Sequence, residues 1–220
     1  MSALLDIKGL KAGYIPKVEV LRGIDLSVSS GEIIGIIGLN GSGKSSLAKA
    51  IVGQIPFRTG SISFNGQSLM NVRADRLRAM GISYMRQGGD VFGNLTVEEN
   101  LYLASSDIPY RPPFYSAKRK MQADRLSGGE RQLLAFSMAL ASNTKLLILD
   151  EPSAGLSPSS VDEVYETMSR LIRERALTVL LIEQNIARAV SLSSRVAWVS
   201  DGRLTLEPAD FEYIKNKYFV

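Results

Sequence analysis

Short apolar segments alternate with amphipathic segments in the second half of this chain. The apolar segments are residues 145–150, 176–183 and 195–200, and the residues between them have the spacing of helices. Strands that are apolar along nearly their whole length are typical of a parallel sheet covered by helices on both faces. The alternation therefore predicts an α/β fold with a mostly parallel sheet.

The first part of the chain has a different pattern. Residues 4–10 and 24–38 mix alternating and β-branched segments, and Asn65-Gly66 divides residues 61–69 in the manner of a tight hairpin. Residues 72–80 have helical spacing, and residues 82–86 form a short predicted strand. We predict an antiparallel β part that precedes the parallel sheet.

The segment from residue 87 to about 126 is rich in Gly, Pro and Tyr, and Pro109, Pro112 and Pro113 exclude a continuous helix. One basic helical piece is predicted at residues 116–125, and a long helix at 129–142. We predict a single domain over residues 1–220, with a core of residues 1–87 and 140–220. A small, trimmed helical subdomain occupies about 88–139.

Composition excludes several kinds of site. The 220 residues contain no His and no Cys, which removes disulfides, thiolate or imidazole metal sites and the usual general base. Any metal should be oxygen-bound, such as Mg²⁺.

The 26 basic and 22 acidic residues are interspersed, so no nucleic-acid partner is expected. No apolar run approaches membrane-spanning length and no signal peptide is evident, so we expect a cytoplasmic protein.

The segment GLNGSGKSS follows a predicted strand and precedes a predicted helix. Its glycine spacing matches phosphate-binding loops, in which backbone N–H groups point inward, rather than an ordinary glycine-rich turn. Lys44 should reach the β- and γ-phosphates of a nucleotide, and Ser45 should coordinate Mg²⁺. The predicted nucleotide-binding residues are Gly38, Leu39, Asn40, Gly41, Ser42, Gly43, Lys44, Ser45 and Ser46.

The segment KLLILDEP places two carboxylates at the end of an apolar strand. Asp150 is expected to hold the Mg²⁺ shell beside the phosphates. Glu151 is expected to polarise the attacking water, in preference to being a solvated loop acid.

The segment LSGGERQ, residues 126–132, precedes the long predicted helix and forms a second candidate anion site. A second such site on one chain suggests that it serves a neighbouring subunit. Together with the phosphate loop and the ILDEP segment, in this order, it makes the chain resemble the ATP-binding-cassette (ABC) ATPases over essentially its whole length. The resemblance implies a P-loop NTPase core of the RecA type, and ATP and Mg²⁺ as cofactors.

The same resemblance implies partners and further site residues. Two ABC subunits, identical or different, would pair head to tail, with Ser127, Gly128 and Gly129 contacting the nucleotide of the partner. Tyr14 matches the aromatic residue that stacks on adenine, the alternative being a core aromatic. Gln87 matches the glutamine that touches Mg²⁺ and the attacking water. Transmembrane permease subunits would hold the chain at the inner face of the membrane.

Residues 91–101 and 150–158 and the triplet Glu183-Gln184-Asn185 are similar to the ATP-binding subunits of branched-chain amino-acid importers. Gln184 falls where most members place a histidine that contacts the γ-phosphate. It is either a neutral hydrogen-bond donor to phosphate, a sign of a weakened site, or a solvent-facing loop residue. The predicted catalytic set is Lys44, Gln87, Glu151 and Gln184. Two alternative functions stay open: a non-transport ABC ATPase, and a catalytically weakened subunit of a heterodimer.

Overall fold

The computed structural model describes residues 3–105, 109–140 and 143–219. Its strands are β1 (Leu5–Gly13), β2 (Leu21–Val28), β3 (Ile33–Ile37), β4 (Phe57–Phe64), β5 (Gln67–Ser68), β6 (Ile82–Met85), β7 (Leu146–Asp150), β8 (Thr178–Ile182), β9 (Arg195–Ser200) and β10 (Arg203–Pro208). Its helices are α1 (Lys44–Ile51), α2 (Ala74–Met80), α3 (Val97–Ala104), α4 (Tyr115–Lys118), α5 (Gly128–Ala139), α6 (Pro158–Glu174), α7 (Ile186–Leu192) and α8 (Phe211–Tyr218). None of the helices in these ranges is both long enough and apolar enough to span a bilayer.

The larger sheet has the strand order β10-β9-β3-β8-β7-β6. The five strands from β9 to β6 pair in parallel, and β10 pairs antiparallel to β9 at one edge. The predicted α/β fold with a mostly parallel sheet is confirmed. Because β3, β8 and β7 are neighbours and run in the same direction, the loops that leave their carboxyl ends meet at one edge of the sheet.

The smaller sheet is antiparallel, in the order β2-β1-β4-β5, and confirms the predicted N-terminal β part. Its tightest turn is the predicted hairpin at Asn65 and Gly66, whose φ angles of 48° and 77° are both left-handed. Phe64 pairs with Gln67 on either side of that turn. One apolar cluster, which includes α1, joins this sheet to the parallel sheet, so α1 and the loop before it are fixed from both sides.

The segment before α5 differs from its prediction. The basic piece 116–125 is not one helix: α4 ends at Lys118, and only a 3₁₀ turn, Ala123–Arg125, follows. The carbonyls of Arg119 and Met121 instead accept the N–H groups of Glu98 and Val97, in the first turn of α3. Those carbonyls satisfy helix-terminal donors that would otherwise lack partners, which favours extended chain over a continued helix.

Helix α3 was not predicted, although its capping box was visible in the sequence. The Thr96 side chain accepts the Glu99 N–H, and Glu99 accepts the Thr96 N–H.

The strand β10 and helix α8 were also not predicted; Tyr218 of α8 stacks on Trp198 with ring centroids 4.0 Å apart. Helix α5 ends at Ala139, and the last predicted residues of that helix, 141 and 142, lie outside the described residues. The division into a core and a helical subdomain stays a prediction.

Asn100 provides a test of how the segment before α3 is held. Its side chain is fully buried, accepts the Phe92 N–H at 2.7 Å, and donates to the carbonyls of Phe92 and Thr96. We expect Asn100→Ala to lower the free energy of unfolding by about 2–3 kcal/mol, since it removes the acceptor of the Phe92 N–H and leaves a cavity where a fully buried side chain was. Urea denaturation measures this, with the exposed Asn94→Ala as the matched control; equal stability of the two variants would contradict it.

Candidate functional site

The loop between β3 and α1 lies at the edge where the parallel strands end. Gly38 has φ 151°, and a Cβ there would lie 2.1 Å from the carbonyl oxygen of Val199, so only glycine fits. Gly43 caps α1 with φ 112°, again a conformation that favours glycine. Gly41, by contrast, has open space where its Cβ would lie. The loop therefore packs on the sheet at Gly38 and leaves room on its outer side at Gly41.

Lys44 provides the positive charge of this loop. The residue is 5% exposed, and its Nζ donates to the carbonyls of Gly38 and Leu39, each at 2.9 Å. Burial lowers the pKa of this ammonium, while the negative charges of Glu151 and Asp150 act in the opposite direction. The Lys44 ammonium is held by loop carbonyls, and the loop has free space at Gly41. This arrangement fits a phosphate-binding loop.

Asp150, the last residue of β7, faces the start of α1. Its Oδ1 accepts the Ser45 hydroxyl at 2.9 Å, and its Oδ2 accepts the Tyr84 hydroxyl at 2.8 Å. Burial, and then the charge of Asp150, raise the pKa of Tyr84, so the phenol stays a donor. Tyr84 was not predicted, because its place in a short strand gives no sign of its partner.

The oxygens of Ser45 and Asp150 are the hard ligands that suit Mg²⁺. The described residues contain no group of three or more acidic, His or Cys side chains placed to hold a metal. The pair therefore fits an ion whose other ligands are water or phosphate oxygens.

Glu151 is held between two amide side chains. Gln87 Nε2 donates to Glu151 Oε2 at 2.9 Å, and Gln184 Nε2 donates to Glu151 Oε1 at 2.8 Å. The backbone of Glu151 has φ 49°, a left-handed value uncommon for this residue type, and its N–H donates to the Ile182 carbonyl. Gln184 is exposed, as the loop-residue alternative expects, but its amide also has a specific partner in Glu151.

A cleft of about 270 Å³ collects most of the predicted residues. It is lined by Asn40, Gly41, Gly43, Lys44, Ser45, Ser46, Gln87, Glu151 and Gln184. Tyr14 is 44% exposed, not in the core, and its hydroxyl lies 3.2 Å from Ser46 Oγ. An exposed ring beside the loop is available for stacking on a flat group.

The segment 127–129 does not line this cleft. Ser127 caps α5 through a capping box with Glu130, and Ser127 and Gly128 are exposed. Gly129 is buried, and a Cβ there would lie 3.1 Å from the Ser160 Cβ.

Sequence reasoning also missed Glu183, which lies buried beside Gln184. The sequence did contain a signal for Glu183, since it is an acidic residue directly after a strand that is otherwise apolar.

Comparisons with known proteins agree with this geometry. The family model described as "ABC transporter" matches residues 21–154. A probable branched-chain amino acid transport ATP-binding protein, LivF of Archaeoglobus fulgidus, is 34% identical over 96% of this chain and 94% of its own length. The lipopolysaccharide export ATP-binding protein LptB of Escherichia coli K12 is 29% identical over 98% of this chain and 95% of its own.

The fold comparison gives the same family. A crystal structure of a nucleotide-free ATP-binding cassette from an ABC transporter superposes with a TM-score of 0.82 at 26% identity, and covers 97% of this chain and 94% of that one. The predicted P-loop fold and the predicted resemblance are confirmed. The chain therefore belongs to the ABC transporter family, as an ATP-binding cassette and an ATPase.

Proposed function

We propose that this chain hydrolyses MgATP to drive import of a small solute, a branched-chain amino acid or a close relative, through a membrane permease. The observation that carries this proposal is the cleft lined by Lys44, Ser45 and Glu151, in which Ser45 donates to Asp150 and two amides donate to the Glu151 carboxylate. The identity to LivF supports the solute class, while the resemblance to LptB leaves an exporter as the competing outcome.

In this proposal the loop binds the phosphates of ATP. Its N–H groups and the Lys44 ammonium contact the β- and γ-phosphates, and Lys44 exchanges its present carbonyl acceptors for phosphate oxygens. Ser45, Asp150 and Gln87 would hold Mg²⁺, which would supply positive charge next to the phosphates. Tyr84 keeps Asp150 oriented through its hydrogen bond.

Glu151 then orients the water that attacks the γ-phosphate. The two amides that hold its carboxylate are neutral donors, so they fix the position of Glu151 without forming an ion pair. Once phosphate and water enter, we propose that Gln184 turns its amide from Glu151 to a γ-phosphate oxygen. Gln184 then plays the part that histidine plays in most relatives, as a donor without charge.

The exposed start of α5 completes a second nucleotide site rather than the one on its own chain. Ser127, Gly128 and Gly129 lie outside the cleft of this chain, and a helix start with an exposed capping residue is a good anion contact. We propose head-to-tail pairing with an identical or related ABC subunit, and stacking of adenine on Tyr14.

A groove beside Tyr84 is the proposed docking site for a cytoplasmic helix of the permease. Two adjoining cavities of about 340 and 350 Å³ share the lining residues Arg78, Tyr84, Arg86, Asp90 and Ala139. Exposed apolar side chains of Phe92 and Leu103 border the second cavity. Because Tyr84 also contacts Asp150, a helix in this groove would be coupled directly to the metal ligand. Docking there would place the chain at the inner face of the membrane.

Glu151→Gln tests the ATPase mechanism. We expect hydrolysis to fall by at least about 100-fold while MgATP binding is retained, since the amide keeps the shape but loses the basic oxygen. Phosphate release and equilibrium nucleotide binding measure the two effects. The exposed Glu166→Gln on α6 is the control, and unchanged turnover in Glu151→Gln would overturn the proposed role.

Gln184→Ala tests whether the amide contributes to turnover. We expect kcat to fall about tenfold, with the KM for ATP within about twofold, because the lost contact forms mainly in the reacting complex. Gln67→Ala, on the distant β5, is the matched control. A kcat equal to that of wild type would return Gln184 to an ordinary loop residue.

Leu103→Glu tests the groove and the solute class together. In liposomes that carry the chain with its permease and solute-binding partners, we expect ATP-driven uptake of leucine, and loss of uptake in Leu103→Glu. Basal hydrolysis by the isolated chain should be unchanged, since Leu103 does not contact the cleft.

The neighbouring Tyr102→Glu is the control for that experiment, because Tyr102 is exposed but does not line the groove. Uptake retained by Leu103→Glu would exclude the groove. Absence of leucine uptake by the wild-type complex would exclude the solute class while leaving the ATPase in place.

A further inference from the structure

Glu183 is a buried carboxylate that the proposed mechanism does not use. It is 1% exposed and follows the last residue of β8. Its Oε1 accepts the hydroxyl of Tyr165 and, at 3.0 Å, that of Ser153. Its Oε2 accepts the backbone N–H groups of Gln184, at 3.1 Å, and Asn185, at 3.4 Å. Four donors from three parts of the chain therefore meet on one side chain.

These four donors are all neutral. A carboxylate taken out of water costs several kcal/mol unless hydrogen bonds or a counter-charge replace its hydration. The Arg188 guanidinium lies 5.1 Å from the centre of the Tyr165 ring, and its own ion pair is with Asp162 rather than with Glu183. Burial, and then the charge of Glu183, raise the pKa of Tyr165, which keeps that phenol protonated.

The donors lie on both sides of the contact between Gln184 and Glu151. Ser153 follows Glu151 by two residues, so its bond to Glu183 fixes the loop that carries the Glu151 carboxylate. The N–H of Gln184 fixes the backbone from which the amide side chain extends. Tyr165 anchors the same carboxylate to α6. One buried group thereby sets the distance between the two loops.

We propose that Glu183 is a positioning residue, which fixes the backbone of Gln184 so that its amide can reach both the Glu151 carboxylate and the γ-phosphate, and so sets the rate of hydrolysis. The inference rests on the proposed function, because the rate in question is that of ATP hydrolysis. Glu183 itself is assigned no contact with ATP. A buried charge with only neutral donors suits this role, because its bonds to backbone N–H groups are strong and directional. A carboxamide in its place has one oxygen for these four donors.

A double-mutant cycle in the purified full-length chain tests the proposal. We expect Glu183→Gln to lower kcat about tenfold with the KM for ATP within about twofold. In a chain that already carries Gln184→Ala, the same change should lower kcat by less than about twofold, because the group that Glu183 positions is gone. A purely structural loss would instead multiply with the loss from Gln184→Ala.

Three results would overturn the proposal. They are a kcat of Glu183→Gln equal to that of wild type, losses that multiply in the double variant, and an unchanged kcat in Gln184→Ala alone. The last result leaves the ATPase mechanism standing, because Glu151→Gln tests that separately. The exposed Glu163→Gln on α6 is the matched control.

Tyr165→Phe and Ser153→Ala repeat the cycle should Glu183→Gln fail to fold. Each variant removes one donor and keeps the carboxylate, and Tyr165→Phe also keeps the ring. We expect each to lower kcat about threefold in the wild-type background and to have no further effect beside Gln184→Ala. Losses of equal size in both backgrounds would overturn the proposal.

Discussion

The parallel pairing of β3, β8 and β7 is the constraint on which the site depends. Ile36 lies opposite Ile182, and Ile182 lies opposite Asp150, so the three strands end at the same level. The phosphate loop, the acidic pair and the Gln184 loop leave from these ends. A shift of register in any one strand would move its loop along the sheet edge by the length of a residue, about 3.3 Å, and break the contacts that close the cleft.

Within the cleft, the absence of histidine alters the electrostatics without removing the donor geometry. A histidinium next to Glu151 would form an ion pair and compete with water for the carboxylate. Two amides instead hold both carboxylate oxygens in place with neutral donors. Among the residues that line the cleft, Lys44 therefore supplies the positive charge.

Local sequence signals predicted the parts of the fold that local physics controls. The apolar strand β7, the hairpin at Asn65 and Gly66 and the glycine loop each carry their signal within a few residues. Helix α3 also has a local signal, the capping box of Thr96 and Glu99. The basic piece 116–125 misled the prediction, because carbonyls in that piece satisfy donors of α3, some twenty residues earlier.

The sequence alone determined the phosphate loop, the Asp150-Glu151 pair and the lack of any imidazole or thiol, because residue types and spacing are sufficient for these. The tertiary structure decided that Gln87 and Gln184 meet on Glu151, that Tyr84 supports Asp150, and that Glu183 joins the two loops. These contacts join residues between 30 and 66 positions apart. Their partners are chosen by strand order and register, which depend on the packing of the whole core rather than on the preferences of neighbouring residues.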